Sequence, residues 1–436
     1  MRQEEILLAV LRTVRELRDR RMILRVWAVL LAFALGIVPH ADGQQGQLAT
    51  PPEVLKVTTE LVVVDVVVKD KKGKHVKGLG PADFTVLDDQ KAQKVSVFSH
   101  EDIDSPGLNR KTEIVPPNFY SNRPEYRIPL GPLTVLLLDA LNTPWSDQAY
   151  MRYQMLRYVD SQGRLKDRIA VIGLGDSVHV LQDFTDDPRI LKAAIESYRP
   201  KKSMQLMIGD MERRLSPPSR MFDTPSIDSS MGVRVSALED FYSHQAELSG
   251  IIRVRTTLEA MRAIGRTLAG YPGRKNLIWV SAAFPLSLPS TGASIGGTLL
   301  TGLLRETTET LTNARVAIYP IDARGLVATT IFDASRSGTK GLGHVMMGPE
   351  FAGSVNQQQA TILDPQGTME DIANWTGGLA FINRNDLGHA LEESLADGSS
   401  YYALGFYRAD QTHDGKFHKL EVRLDRRDCE VRYRHG

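Results

Sequence analysis

The sequence predicts an α/β fold: a doubly wound, mostly parallel sheet flanked by a small β domain. Three observations lead there. Leu133–Leu138, apolar apart from Thr134, is a run set between Pro132 and Pro144, too short for a helix. That is the pattern of a strand buried on both faces of a parallel sheet. Similar runs recur at Arg168–Leu174, Asn276–Val280 and Val316–Ile321, alternating with stretches of helical spacing. Outside this alternation, both ends of the chain turn to β-branched and aromatic residues, at Thr58–Lys69 and Tyr401–Tyr433.

The 436 residues allow two domains, or one large domain with insertions. Apolar content of 42% and charged content of 24% permit a full-sized core. A net charge of +1 gives no basic surface for nucleic acid, so no nucleic-acid partner is expected. A single cysteine, Cys429, excludes an intrachain disulfide framework and a cysteine-based zinc cluster. It reads as a small strand residue rather than a nucleophile.

The first 43 residues read as an export signal. Trp27–Val38 is apolar and uncharged, preceded by Arg20, Arg21 and Arg25 and followed by Ala41-Asp42-Gly43. Basic region, short apolar core and small-residue exit predict a mature protein beginning near Gln44. The apolar core is short of the roughly 20 residues that span a bilayer, and an uncleaved anchor is the alternative. Membrane contact is expected only through this segment, and the protein is expected in the periplasm, the cell envelope or the medium. Either Met22 is the true start, or Arg20–Arg25 belongs to a twin-arginine signal, which it resembles loosely. No cysteine follows the apolar core, which excludes lipoprotein attachment.

Residues 44–57 form a linker and 58–100 an N-terminal β segment, with strands at Thr58–Lys69, Phe84–Leu87 and Lys94–Ser99. Residues 101–131 are a proline-containing linker, and 132–398 are the α/β domain. Within it, Gln148–Ser161 has helical spacing, Arg168–Leu174 is a second buried strand and Val178–Leu181 a third. Asp187-Pro188 opens the next helix, with Asp at the cap and Pro at the first helical position. An aperiodic insertion spans about 201–235, followed by a long helix over Ser236–Ala269 and the strand Asn276–Val280. Thr298–Asn313 is helical, and Val316–Ile321 is a strand ending in Asp322. A second insertion runs over about 325–366, followed by a helix at Thr368–Trp375, a short strand at Leu379–Ile382 and a helix at Asp386–Leu395. Residues 399–436 form a C-terminal β segment with strands at Tyr401–Tyr407, Phe417–Leu424 and Cys429–Tyr433. Neither β segment has a packed face of its own, so the two are expected to share one flanking β domain.

The signals for chemistry are sparse. Gly173-Leu174-Gly175 and Gly341-Leu342-Gly343 lack the third glycine of a dinucleotide loop, and no phosphate loop, zinc-protease motif or nucleophile elbow is present. His413 and His418 flank a turn and read as surface residues. No enzyme is expected. The feature that stands out is Asp139, the carboxylate delivered to the end of the first buried strand, followed by Asn142 and Thr143. Ligand sites in open α/β sheets lie at such strand ends. The plainer alternative is that Asp139 caps the next helix or makes an Asx turn.

Several segments together resemble a known family. Asp139-Ala140-Leu141-Asn142-Thr143 after a strand, and Lys275–Ser281 (Lys-Asn-Leu-Ile-Trp-Val-Ser), are similar to a von Willebrand factor A domain. Asp83–Asp89, Tyr319–Leu326 and Ser400–Tyr407 resemble segments of the bacterial VWFA-related domain proteins, and the likeness covers essentially all of the mature chain. The resemblance implies a metal-ion-dependent adhesion site for Mg²⁺ or Mn²⁺ at the sheet's C-terminal rim. Such a site takes hydroxyl and carboxylate oxygens and leaves one position for a partner's acidic side chain. Carried over, Asp139 matches the first aspartate, Thr143 the second serine, and Thr256 or Thr257 the loop threonine, Thr257 being the chosen candidate. Leu141 stands where the first serine belongs and Ala282 where the late aspartate belongs, so the site is degenerate. Asp322 either compensates or caps a turn. The function implied is an exported, non-enzymatic protein-binding or adhesion module using this rim. A structural scaffold of the cell envelope with no metal site is the alternative, and a hydrolase with Asp139 and Asp322 as paired acids is a third reading.

Overall fold

The computed structural model describes residues 61–102, 132–163, 165, 167–207, 229–282, 284, 295–326, 366–408, 418–426 and 428–436. They belong to one compact unit, Thr58–Gly436. The expected signal segment, the 44–57 linker, and nearly all of the 101–131 linker and of the 325–366 insertion lie outside the described residues.

The chain opens with strands β1 (Leu61–Asp70), β2 (Phe84–Asp88), β3 (Lys91–Gln93) and β4 (Val97–Asp102). Strand β5 (Leu133–Asp139) then leads to helix α1 (Trp145–Ser161), β6 (Arg168–Leu174), β7 (Val178–Thr185) and α2 (Pro188–Ser197). Next come α3 (Ser229–Leu268), β8 (Lys275–Ser281), α4 (Ile295–Asn313) and β9 (Val316–Asp322). Helix α5 (366–376) and α6 (Leu387–Ser399) precede β10 (Ser400–Tyr407), β11 (Leu420–Leu424) and β12 (Cys429–Arg432).

The central sheet has the order β7-β6-β5-β8-β9. β5 pairs in parallel with β6 on one side and β8 on the other, and β8 pairs in parallel with β9. Leu379–Ile382, expected as a short strand, contributes a single parallel bridge, Phe381 to Ile321. Side chains alternate along β5 as a strand requires. Leu136 and Leu138 face a core with Met151 and Met155 of α1, Leu191 of α2 and Leu391 of α6. Val135 and Leu137 face the opposite core, with Leu258 and Met261 of α3, Leu304 of α4 and Ile372 of α5. Helices thus cover both faces, which explains why β5, β8 and β9 read as near-continuous apolar runs.

Two expectations need correction. β7 is not a third buried strand: its side chains are half-buried or exposed, and it pairs antiparallel with β6 at the edge of the sheet. The tight turn between Leu174 and Val178 leaves no room for the dozen or so residues that a parallel return needs. Helix α3 begins at Ser229, inside the stretch expected as an aperiodic insertion. The start of α2 is as read, with the Asp187 carboxylate accepting from the Arg189 N–H and Pro188 at the first position.

Strands from the two ends of the chain pair with each other. One sheet has the order β12-β1-β10-β4, and a second has β11-β2-β3. Val64, Val66 and Val68 of β1 pack with Phe84 and Val86 of β2, Tyr402 and Leu404 of β10, and Val422 of β11. The other face of β1 carries Asp65 and Lys69 toward the α/β unit. Asp65 meets Arg315, which precedes β9, and Lys69 meets Asp397 in the last turn of α6 at 2.5 Å. Arg432 of β12 donates to the same Asp397, at 2.6 Å. Cys429 is half-buried in β12 and unbonded.

Candidate functional site at the C-terminal rim

After β5 the chain runs to β6 on one side and later to β8 on the other, so the C-terminal end of β5 is the point at which the winding reverses. Asp139 sits there, fully buried. It is not bare. Its Oδ1 accepts from the Asn142 backbone N–H at 3.0 Å. Its Oδ2 accepts from Asn142 Nδ2 at 2.8 Å, Trp279 Nε1 at 3.0 Å and Ser281 Oγ at 2.9 Å. Burial pushes the carboxyl above the usual carboxylate range, and the donors of Asn142, Trp279 and Ser281 pull it part of the way back.

The structure brings all three predicted residues to this point. Asn142 Nδ2 also donates to Thr257 Oγ1 at 2.8 Å, so one amide bridges Asp139 and Thr257. Thr143 Oγ1 accepts from the Ala282 N–H at 3.1 Å. Thr257, however, lies within α3 rather than on a loop, and its hydroxyl donates to the Arg253 carbonyl one turn earlier, at 2.8 Å. Thr143 and Thr257 are both fully buried.

The rest of the family pattern is filled by packing. Leu141 is buried in the core facing α3, and Ala282 is buried against the core on the other face. Asp322 does not reach into the group. Its Oδ1 accepts from the Arg324 N–H, and the carboxylate forms a two-point pair with the Arg324 guanidinium, at 2.9 and 2.8 Å. It also accepts from Gln366 Nε2 at 3.0 Å. Asp322 therefore holds the turn after β9, the second of its two expected roles.

These residues do not fit a dication as they stand. Asp139 already takes four donors, three of them crowded on Oδ2 and one on Oδ1. An indole N–H and an amide NH₂ occupy the space beside Oδ2 and cannot ligate a cation. Among the described residues, Asn142 Oδ1, a neutral amide oxygen, is buried without a hydrogen-bond partner. Mg²⁺ and Mn²⁺ want several hard oxygens at once. What the arrangement can do is lock the rim by hydrogen bonds, joining β5, β8 and α3 through one carboxylate.

Residues outside the expected ligand set complete this lock. Gln148 of α1 is buried and donates to the carbonyls of Thr143 at 2.7 Å and Lys201 at 2.8 Å, while its Oε1 accepts from Tyr198 Oη at 3.0 Å and the Lys201 N–H at 3.0 Å. Trp279 carried a usable signal: an indole inside a strand buried on both faces needs an acceptor for its N–H. Gln148 gave none, since glutamine at a helical position ordinarily faces water.

No family model matches the chain, and no curated protein does. Solved structures do match. One is an aerotolerance-related membrane protein from Bacteroides fragilis, at 11% identity over 62% of this chain and 98% of that one, with a TM-score of 0.28. Another is a von Willebrand factor type A protein from Catenulispora acidiphila, at 10% identity over 44% of this chain and 33% of that one, with a TM-score of 0.23. A third is proximal thread matrix protein 1 from the mussel byssus, in a form described as having a zinc-occupied MIDAS motif. It matches at 11% identity over 64% of this chain and 49% of that one, with a TM-score of 0.26. Scores this low add nothing to the strand order and register described above. That order, with the motifs at Asp139–Thr143 and Lys275–Ser281, resembles a von Willebrand A-type domain.

Proposed function

We propose that the chain is an exported, non-enzymatic protein-binding module that offers the rim of a doubly wound von Willebrand A-type unit to a protein partner. The observation that carries this reading is apolar exposure on the segments around Asp139. Trp145, which follows the β5 loop, is 54% exposed, and Leu326, just past β9, is 64% exposed. Met204 and Met207 are 63% and 49% exposed, on the segment that Gln148 ties to α1 through Lys201. Exposed aromatic and methionine side chains on a rigid rim suit a protein partner. Asp139, Thr143 and Thr257 act from beneath, by holding the rim in shape.

Because four protein donors already engage the carboxylate, recognition is proposed to need no cation. The test is retention of a partner from envelope extract by the wild-type protein and by a Trp145→Ser/Leu326→Ser variant, each with and without chelator. Wild type should retain the partner under both conditions and the variant should lose it. Equal retention by the variant overturns the reading. It would favour the structural scaffold of the cell envelope, the reading that the four donors on the Asp139 carboxylate also suit.

A further inference from the structure

A second group of ligating side chains lies away from the rim, where the two ends of the chain meet. β2 ends at Asp88, and the turn into β3 passes through Asp89 and Gln90, both at positive φ (47° and 66°). β11, which pairs with β2, is entered from His418 and Lys419. The Lys419 N–H donates to Asp89 Oδ1 at 2.9 Å, which turns Asp89 Oδ2 to His418 Nδ1 at 2.7 Å. Asp88 Oδ1 is 4.0 Å from the same nitrogen. One ligand atom from each of Asp88, Asp89 and His418 lies within 4.8 Å of the others.

The observation that separates this group from an ordinary acidic turn is Asp88. The residue is only 8% exposed, and its Oδ1 is buried without a hydrogen-bond partner among the described residues. Its other oxygen is 3.3 Å from Arg408 Nε. A buried carboxylate oxygen left unpaired is costly, and it faces an imidazole nitrogen and a second carboxylate. We propose that Asp88, Asp89 and His418 bind one divalent transition-metal cation of the Zn²⁺ class.

The chemistry favours that class over Mg²⁺. An imidazole with two carboxylates suits zinc or its neighbours, whereas Mg²⁺ prefers an all-oxygen octahedron. Three protein ligands leave a fourth position for water. Arg408 also stands within 3.1 Å of the His418 ring, and its charge opposes a dication. It therefore sets the affinity below that of a structural cysteine site while holding Asp88 Oδ2 so that Oδ1 points inward. Binding would replace the Asp89–His418 hydrogen bond by two metal bonds, with loss of the imidazole's Nδ1 proton. Asp89 and His418 are 329 residues apart in sequence, so the ion would clip the β2–β11 pairing that joins the chain's ends.

The test is calorimetry of the full chain with ZnCl₂, beside thermal melts with and without the metal. Wild type should bind one equivalent and melt at a higher temperature with Zn²⁺. His418→Asn and Asp89→Asn should each bind at least ten-fold more weakly and lose the shift, while His389→Asn, on α6, should behave as wild type. Circular dichroism reports that each variant is folded, and Asp89, being half exposed, is the variant safest for folding. Co²⁺ should give visible absorption in wild type that His418→Asn lacks. The proposal is overturned by no binding to wild type, by unchanged affinity in both ligand variants, or by an equal loss in His389→Asn.

Discussion

At the scale of single residues, Asp139 is a carboxylate whose value lies in the donors gathered on it. Asp139→Ala would leave the Trp279 indole N–H, the Ser281 hydroxyl and the Asn142 donors without their acceptor. Each buried unpaired group costs about 1–3 kcal/mol, so a loss of about 3 kcal/mol or more in urea unfolding is expected. Restoring the family pattern with Leu141→Ser and Ala282→Asp removes a core leucine and buries a second carboxylate at the rim. The cavity alone costs about 2–5 kcal/mol. That double variant should melt well below the parent, and Mn²⁺ should not bring it back. Rescue by the ion would reinstate a metal at the rim. Lys275 gives a pH signature. Its Nζ donates to the Tyr271 carbonyl at 2.7 Å, and burial, with Arg315 nearby, brings its pKa down to about 8. The unfolded chain then holds this proton to higher pH than the folded one, so stability rises between about pH 8 and the ordinary lysine value near 10.4. In a difference curve of wild type minus Lys275→Met, taken from melts across that range, the rise should be present.

At the scale of elements, close backbone approach decides what the segment after α5 tolerates. A β-carbon on Gly378 would lie 1.8 Å from the Ile318 carbonyl oxygen of β9. That neighbour is backbone in a buried strand and cannot swing aside. Gly378→Ala should therefore exceed the usual 1–3 kcal/mol of overpacking, and the expected readout is a large fall in soluble yield and melting temperature. Gly302, on α4, has nothing near its added carbon, and Gly302→Ala is the matched control. The same scale explains β7: an edge strand at the end of a tight turn, its half-exposed face differs from the buried faces of β5 and β8.

At the scale of the whole molecule, the N-terminal strands depend on the C-terminal ones. Ending the chain after Tyr407 removes β11 from β2 and β12 from β1, and takes Arg432 away from Asp397. Two strands would then present unpaired edges, and Lys69 would be the main remaining cation on a buried carboxylate. Limited proteolysis of that truncation should cut within 61–102 well before it cuts β5, β8 or β9. Resistance of 61–102 equal to the full chain would show that the N-terminal strands stand without their partners.

What the sequence determined by itself was everything written in local periodicity. Leu133–Leu138, Asn276–Val280 and Val316–Ile321 are strands because two-sided burial leaves near-continuous apolar runs, and Asp187-Pro188 opens a helix because its cap chemistry is local. The meeting of Asp139, Thr143 and Thr257 followed from a resemblance rather than from periodicity. Tertiary structure alone decided what those residues do. Trp279 and Ser281 reach Asp139 across 140 and 142 residues, and no nearby pattern marks either as its donor. Leu141 turns into the α3 core and Thr257 onto its own helix because packing and an available carbonyl fix their orientations. His418, which reads from the sequence as a surface residue, comes beside Asp88 because antiparallel pairing of β2 and β11 brings the two segments into register. Strand order and pairing depend on burial summed over the whole chain, and that sum is what a local reading of residues lacks.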